Sequence, residues 1–502
     1  MAGKSNAIQR RLFLKSLAAF AAAGGASLTA KARPRKGIGP DWPRALVDAL
    51  DDEVAEPLGE YWHPYLDRIA AKVNSIAKRT ADGFWFLTDL HIPSNHMQSG
   101  KAIAALAKRT AIGKTLCGGD FPEAFAVRKT CRFETDRAGV DFAARLYRAL
   151  WVDAVESAGV KVYTAKGNHD FTIRHDDGVN AGFTYSGAEA RKVIMSSRGC
   201  ADVVTNSDDP EACYYYFDND KANVRYIVAD TTDTVNPRKP FWAVEYGMHD
   251  TQLVWLAEQA FATIPSGWSV VVMHHIPITT VVGYESEERL FAPFRTLLEA
   301  YQNRGRWTLA GRTFDFASAG GRIILDITGH HHAERQTFRN GILHVTEPCD
   351  AAYWDEGTGA APWCAIPPKR AEGTVFEQTF DAVQLDTKRG IVFFTRVGGG
   401  EDRAIHVTPA RVKVGERMAF NAPLLKGPVT WGCYDADRIK KTPHRRNKYL
   451  SHFKYFNDVA TISDDGTLLA TKAGESMVIA MDANFNKEIW PVTVVAHERT
   501  SS

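Results

Sequence analysis

The sequence predicts a layered α/β domain followed by a small all-β domain. Three observations predict it. Helix-period stretches alternate with short, continuous apolar runs over most of the first 330 residues, the pattern of strands covered on both faces by helices. Each apolar run exits into Asp, Asn or His. From about residue 405, helical periodicity disappears and short alternating runs follow one another.

Taken in order, "PYLDRIAAKVNSIAKRT" places Leu66, Ile69, Val73 and Ile76 on one helical face, which predicts an amphipathic helix in an N-terminal extension spanning 33–79. "GFWFLTDLH" reads as a buried strand, "GKAIAALAKRT" as a helix, "KTLCGGD" as a strand, "DFAARLYRALWVDAVESAG" as one long helix and "VKVYTAKGNHD" as a strand. "ACYYYFDNDKANVRYIVADTT" carries an Asn/Asp turn between two strands, "DTQLVWLAEQAF" is helical, and "GWSVVVMHHIP" and "GRIILDITGHHH" are again buried strands. Such alternation defines a layered α/β unit over 80–400. Gly398, Gly399 and Gly400 are the expected hinge. Beyond them "GPVTWGCYD", "VATISDDGTLLAT", "ESMVIAMDA" and "IWPVTVVA" predict a β-sandwich over 405–497. The cluster Lys440, Lys441, Arg445, Arg446 and Lys448 reads as a solvated loop.

The first 32 residues have the layout of an export signal: Arg10, Arg11 and Lys15, then a weakly apolar Ala/Gly run, then Ala30-Lys31-Ala32. The paired arginines followed by "LFLK" resemble a bacterial twin-arginine signal. Cleavage after Ala32 is expected, giving a periplasmic or secreted protein exported folded by the twin-arginine machinery. It removes five cations and no acid, turning the formal charge of +2 slightly negative. That excludes a global field for nucleic acid, and no segment predicts a transmembrane span in the mature chain. Seven cysteines leave at least one thiol unpaired. Cys117 reads as a small core residue, and Cys200 with Cys213 and Cys349 with Cys364 are candidate disulfides of an exported protein.

The strand exits carry the chemistry. Asp89 and His91 follow "FWFLT", Asp120 follows "TLCGG", Asn168 and His169 follow "VYTAKG", His274 and His275 follow "VVVM", and His330 and His332 follow "ILDITG". Any one pair is ordinary turn or core chemistry, because Asp and Asn favour turns and helix N-caps. Ligands, however, collect beyond the carboxyl ends of strands in an α/β sheet. Imidazole, carboxylate and amide donors without thiolate suit Mn, Fe or Zn.

"DLH" (89–91), "GGDFPE" (118–123), "GNHD" (167–170), "HHIP" (274–277) and "GHHH" (329–332) together resemble the five-block signature of calcineurin-like metallophosphoesterases, over roughly residues 80–400. The resemblance implies a four-layer α/β/β/α sandwich and a centre of two divalent metal ions. One ion would take Asp89, His91 and His332; the other Asn168, His330 and His275, with His274 as the alternative; Asp120 would bridge them. Glu123 departs from the family's frequent residue and has no assigned role. His169 would stabilise the transition state or protonate the leaving group, with Asp170 orienting it, and His331 would be structural. The implied activity is hydrolysis of a small phosphodiester, with a phosphomonoester as the alternative. "FTYSG", "YYYFDND" and "NPRKPFWAVEYG" are candidate pocket walls. The C-terminal segment resembles bacterial Ig-like domains, which implies an envelope ligand and leaves a non-catalytic binding protein as the reading from another class.

Overall fold

A computed structural model describes residues 57–91, 98–122, 135–174, 181–233, 247–279, 281–282, 290–350, 374–436, 439–443 and 451–496. The expected signal at 1–32, Glu123, Cys364 and nearly all of "NPRKPFWAVEYG" lie outside them, as do Arg445, Arg446 and Lys448 of the basic cluster. Among the described residues no helix is long and apolar enough to cross a membrane.

The helix His63–Ala77 begins with Pro64 in its first turn and buries Leu66, Ile69 and Val73. Pro is preorganised there because its missing N–H falls where no intrahelical partner exists. The helices Ser99–Ala107 and Asp136–Leu146 share its side of the molecule. Thr135 caps the latter by accepting from Ala138 N. The expected single long helix passes through a widened π-helical stretch, Tyr147–Asp153, before Ala154–Glu156.

Two sheets lie beneath and beyond these helices. Strand Asp82–Leu87 alternates between two cores: Trp85 and Leu87 pack under the helices, whereas Phe84 and Phe86 point into a second core with Leu116, Val271, Met273 and Ile327. Strand Ser269–Met273 alternates likewise, Val271 and Met273 toward that shared core and Val270 and Val272 toward a third, beneath helices Asp250–Trp255 and Ala292–Gln302. The period of two residues per pleat makes each central strand apolar on both faces. The order is therefore helices, sheet, sheet, helices. Each fully buried Val, Leu or Phe contributes about 1.5–3 kcal/mol relative to exposure.

In the first sheet Asp82–Leu87, Lys114–Cys117 and Lys161–Thr164 run parallel and adjacent. In the second, Ser269–Met273 and Arg322–Thr328 are parallel neighbours. These five are the strands whose exits carry the candidate ligands.

The C-terminal strands continue the first sheet. Asp82–Leu87 pairs with Thr379–Asp386, that with Ile391–Gly398, and that with Arg403–His406, which pairs parallel with Lys487–Val495. Tyr434, Met477, Ile479 and Ile489 enter the core between the two large sheets. The opposite faces, Cys433, Val478, Val492 and Val494, form a smaller core with Val412, Leu468 and Ala470. Across it lies a three-stranded sheet of Arg417–Ala419, Thr467–Ala470 and Ala460–Ile462. Lys440 and Lys441 fall in the strand Ile439–Pro443 rather than in a loop.

The glycine run is a tight crossing rather than a hinge. A Cβ on Gly398 would lie 1.9 Å from Gln378 O, and Gly399 N donates to that same carbonyl at 2.9 Å. Glycine is needed because two backbones meet there. Cys200 and Cys213 are separate, buried free thiols, so that expected disulfide does not form. Cys117 is buried in the helix-side core.

Candidate metal centre

Three of the five strand exits turn sharply. Five of the seven candidate ligands have positive φ: Asp89 (55°), His91 (45°), Asp120 (54°), His330 (67°) and His332 (51°). Left-handed backbone costs non-glycine residues about 1–3 kcal/mol each and clusters where a site imposes it. The surrounding ladder holds the turns: Asp89 N donates to Gly119 O at 2.9 Å, His91 N to Asp120 O at 3.1 Å and Gly329 N to His275 O at 3.1 Å. Two glycines permit the loops to touch. A Cβ on Gly167 would stand 2.2 Å from Asp120 N, and one on Gly329 2.0 Å from Thr88 Oγ1.

The structure brings all seven together, in two groups that meet at Asp120. In one group, His91 Nε2 and His332 Nε2 are 3.0 Å apart, and Asp89 Oδ1 lies 3.1 Å from His332 Nε2 and 3.7 Å from His91 Nε2. In the other, Asn168 Oδ1 lies 2.9 Å from His275 Nε2 and 2.8 Å from His330 Nδ1. Asp120 belongs to both sets of converging donors, with Asp89 and His91 on one side and His275 and His330 on the other. Asp120 Oδ2 is 3.1 Å from His275 Nε2.

This donor set fits divalent cations. His275 directs Nδ1 to Gly118 O at 2.8 Å, which leaves Nε2 for the site and fixes the ring. His91 Nε2 and His332 Nε2 face each other at 3.0 Å, so the neutral rings can turn their lone pairs toward a shared cation. The seven candidate ligands offer nitrogen and oxygen, as Mn, Fe or Zn accept, and Cys349 Sγ also converges on His91 and His332.

Burial alone would raise Asp120, yet His275 and His169 outweigh it and hold the carboxylate well below its usual range. Asp89 is lowered in the same way, chiefly by His332. Burial would lower His275, but Asp120 and Asp89 push it up to about 9. Two buried carboxylates thus draw positive charge to the point between the groups.

Two expected roles are corrected. His274 is no alternative ligand, because its Nε2 meets Asp326 Oδ1 at 2.8 Å and its Nδ1 meets Ile276 O at 2.9 Å. Both of its ring nitrogens are thus engaged away from the candidate ligands, whereas His275 Nε2 faces Asp120 and Asn168. Asp170 does not orient His169. Its carboxylate accepts from Gly167 N (2.7 Å), Phe121 N (2.7 Å) and Asp120 N (3.2 Å), clamping two ligand loops together. Burial, with Asp120's charge added, pushes it up to about 7.

His169 instead stands at the mouth. Its backbone N donates to Asp120 Oδ1 at 2.7 Å, its ring meets His91 edge-on at 4.9 Å, and its Nε2 lies 4.0 Å from Asp120 Oδ2. Its side chain is 18% exposed, against 0–1% for Asp89, His91, Asp120 and His275. His331 meets Arg335 through Nδ1.

Several contributors escape sequence reasoning. Asp326 also binds His344 Nδ1 at 2.6 Å, and an acid inside the buried run "RIILDIT" was the available signal. Cys349 Sγ donates to Asp89 O at 2.8 Å and Asp350 N to Thr88 O at 3.0 Å, bracing the first ligand turn. Nothing in "TEPCD" marked that role. Of the expected pocket walls, "FTYSG" supplies Thr184, Tyr185, Ser186 and Gly187 to a cavity beside Asn168, whereas Tyr215 and Phe217 of "YYYFDND" are core.

No family model and no curated protein matches this chain. Among solved structures, a dimetal phosphatase from Danio rerio is 14% identical, covering 66% of this chain and 99% of that one, at a TM-score of 0.41. GAP50, the anchor in the inner membrane complex of Plasmodium, is 14% identical over 64% and 89% of the two chains, with a TM-score of 0.34. The phosphopantetheinyl hydrolase of Mycobacterium tuberculosis is 13% identical over 54% and 90%, with a TM-score of 0.26. With these TM-scores below 0.5, the functional reading rests on the geometry of the site.

Proposed function

We propose that the protein is a metal-dependent phosphoesterase that hydrolyses a small phosphodiester. One observation carries this reading: Asp120 is shared by two sets of converging nitrogen and oxygen donors. Asp89, His91 and His332 would hold one cation, Asn168, His275 and His330 the other, with Asp120 between. Such a cation pair neutralises charge on a phosphoryl group and makes water a nucleophile near neutral pH.

The chain's own residues do the rest. Asp170 and Gly167 hold the Asp120 and Asn168 loops in register. His169, partly exposed beside the site and tethered through its backbone to Asp120, is placed to give a proton to the departing oxygen. A cavity of about 600 Å³ opens beside Asn168, with Phe171 and Tyr185 stacked in its wall 5.6 Å apart. That volume suits a small molecule. Carboxylates line the cavity too, among them Asp208, Glu211 and Asp233, and its Lys166 is paired with Asp230 at 2.7 Å. A leaving group that carries a second phosphate would be repelled there; an uncharged or amine-bearing alcohol would not.

Turnover of bis(p-nitrophenyl) phosphate and p-nitrophenyl phosphate with added Mn tests the reading. Wild type should favour the diester, and Asp120→Asn should abolish both activities. Equal rates for the two proteins would overturn the assignment, and a preference for the monoester would reverse the substrate class. We further propose export of the folded chain through the twin-arginine route, on the strength of Arg10, Arg11 and the run that follows. Retention of the Arg10→Lys, Arg11→Lys double variant in the cytoplasm would support it, and unchanged export would refute it.

A further inference from the structure

The loop bearing His330 and His332 runs on into Glu334, which is held from the side of the C-terminal strands. Glu334 Oε2 accepts from Arg396 at 2.8 Å and lies 3.3 Å from Arg403 Nη1, and its Oε1 lies 3.7 Å from Lys487 Nζ. Arg403 and Lys487 are themselves register partners across the junction of strands Arg403–His406 and Lys487–Val495. Lys487 also pairs with Glu401. Both guanidinium groups reach Glu347, Arg396 at 3.2 Å and Arg403 at 3.0 Å, and both reach Asp381, at 3.0 and 2.7 Å. Glu347 N in turn donates to Thr328 O at 2.9 Å, immediately before the ligand loop. The lattice therefore grips residues 329–333 at both ends.

Its chemistry argues for positioning over bulk stability. Arg396 is 4% exposed and Arg403 2%, and ion pairs this deep recover little more than their desolvation penalty, so apolar residues would stabilise a core at least as well. What a fixed array of forked donors supplies in addition is direction.

We propose that the C-terminal strands are a working part of the metal centre, with Arg403 and Lys487 acting as positioning residues that set the His330–His332 loop through Glu334. The inference rests on the cation site proposed above. It is tested by calorimetric titration of Mn into the full-length protein. Arg403→Met should weaken Mn binding at least about tenfold, the scale of an outer-shell loss, and Arg403→Lys should recover part of it. Arg225→Met is the control for destabilisation alone: it removes another buried arginine, paired with Asp218 at 2.7 Å, and should leave Mn affinity within about twofold, as for an independent site. Should Arg403→Met fail to fold, the isosteric Glu334→Gln carries the same expectation. Wild type that binds Mn, with Arg403→Met or Glu334→Gln binding it equally well, overturns the inference alone. Wild type that binds no Mn overturns the cation site, and this inference with it.

Discussion

Two buried clusters of carboxylates meet one loop, at His332 and at Glu334, and behave differently. Around Asp89 and Asp120 the compensating groups are imidazoles and an amide, His91, His275, His330, His332 and Asn168. Around Glu334, Glu347 and Asp381 they are the guanidinium groups of Arg396 and Arg403. Imidazole can shed its proton and offer a lone pair, whereas guanidinium stays charged and offers only N–H donors. The first cluster can therefore receive cations, and the second is closed to them. Within the second, burial raises Glu347 to about 8 against the pull of Arg403, while Arg403 and Arg396 outweigh burial and hold Glu334 at about 2. The same two guanidinium groups thus leave two neighbouring carboxyls shifted in opposite directions.

The contrast can be broken most severely at Asp120. Asp120→Asn should lower Mn affinity by more than about a hundredfold, exceeding the 10–100-fold typical of outer-shell changes, and phosphodiester turnover should vanish with it. Calorimetry and a p-nitrophenolate assay read the two effects. Next in size, His169→Ala should reduce kcat by about a hundredfold, the lower range for a lost general acid. Mn affinity should change little, because the ring stands at the rim.

The lattice should respond to pH instead. Glu347 has a folded pKa near 8, above the carboxyl value of about 4.3 in an unfolded chain. The unfolded state therefore releases this proton first. The associated stability is fully present below the unfolded value, declines as pH rises, and is lost once pH passes the folded value. Arg396, Arg403, Asp381 and Glu334 are the charged groups that face it. Glu347→Gln should flatten this part of the decline between about pH 4.3 and 8, by up to a few kcal/mol, as read by denaturant unfolding across that range. An unchanged slope would mean that Glu347 is ionised in the fold. The smallest effect is expected at His274. His274→Asn should cost about 1–3 kcal/mol through its buried bond to Asp326 and leave Mn stoichiometry intact, whereas His275→Ala should lose a cation.

Much of the candidate site was legible because strand exits announce themselves: an apolar run followed by Asp, Asn or His, repeated five times, has few purely structural reasons to recur. The layered core was legible for a related reason, since Phe84, Trp85, Phe86 and Leu87 are apolar without alternation and so demand partners on both faces. The lattice was not. Asp381, Arg396 and Arg403 are charges in three separate strands, and nothing local tells a buried partner from a solvated one. The glycine run at 398–400 misled for the opposite reason, because flexibility and close backbone approach call for the same residue.

By itself the sequence determined which donors exist, at which strand ends they sit, and which runs must be covered on both sides. These follow from composition and period, which every short stretch carries within itself. Only the tertiary structure decided that His275 rather than His274 faces Asp120, that Asp170 clamps loops instead of orienting His169, and that strands Arg403–His406 and Lys487–Val495 continue the first sheet. Those outcomes depend on strand phase and on pairing between distant segments. One residue of phase turns a side chain to the opposite face, and the choice of neighbour is settled by contacts that no local stretch contains.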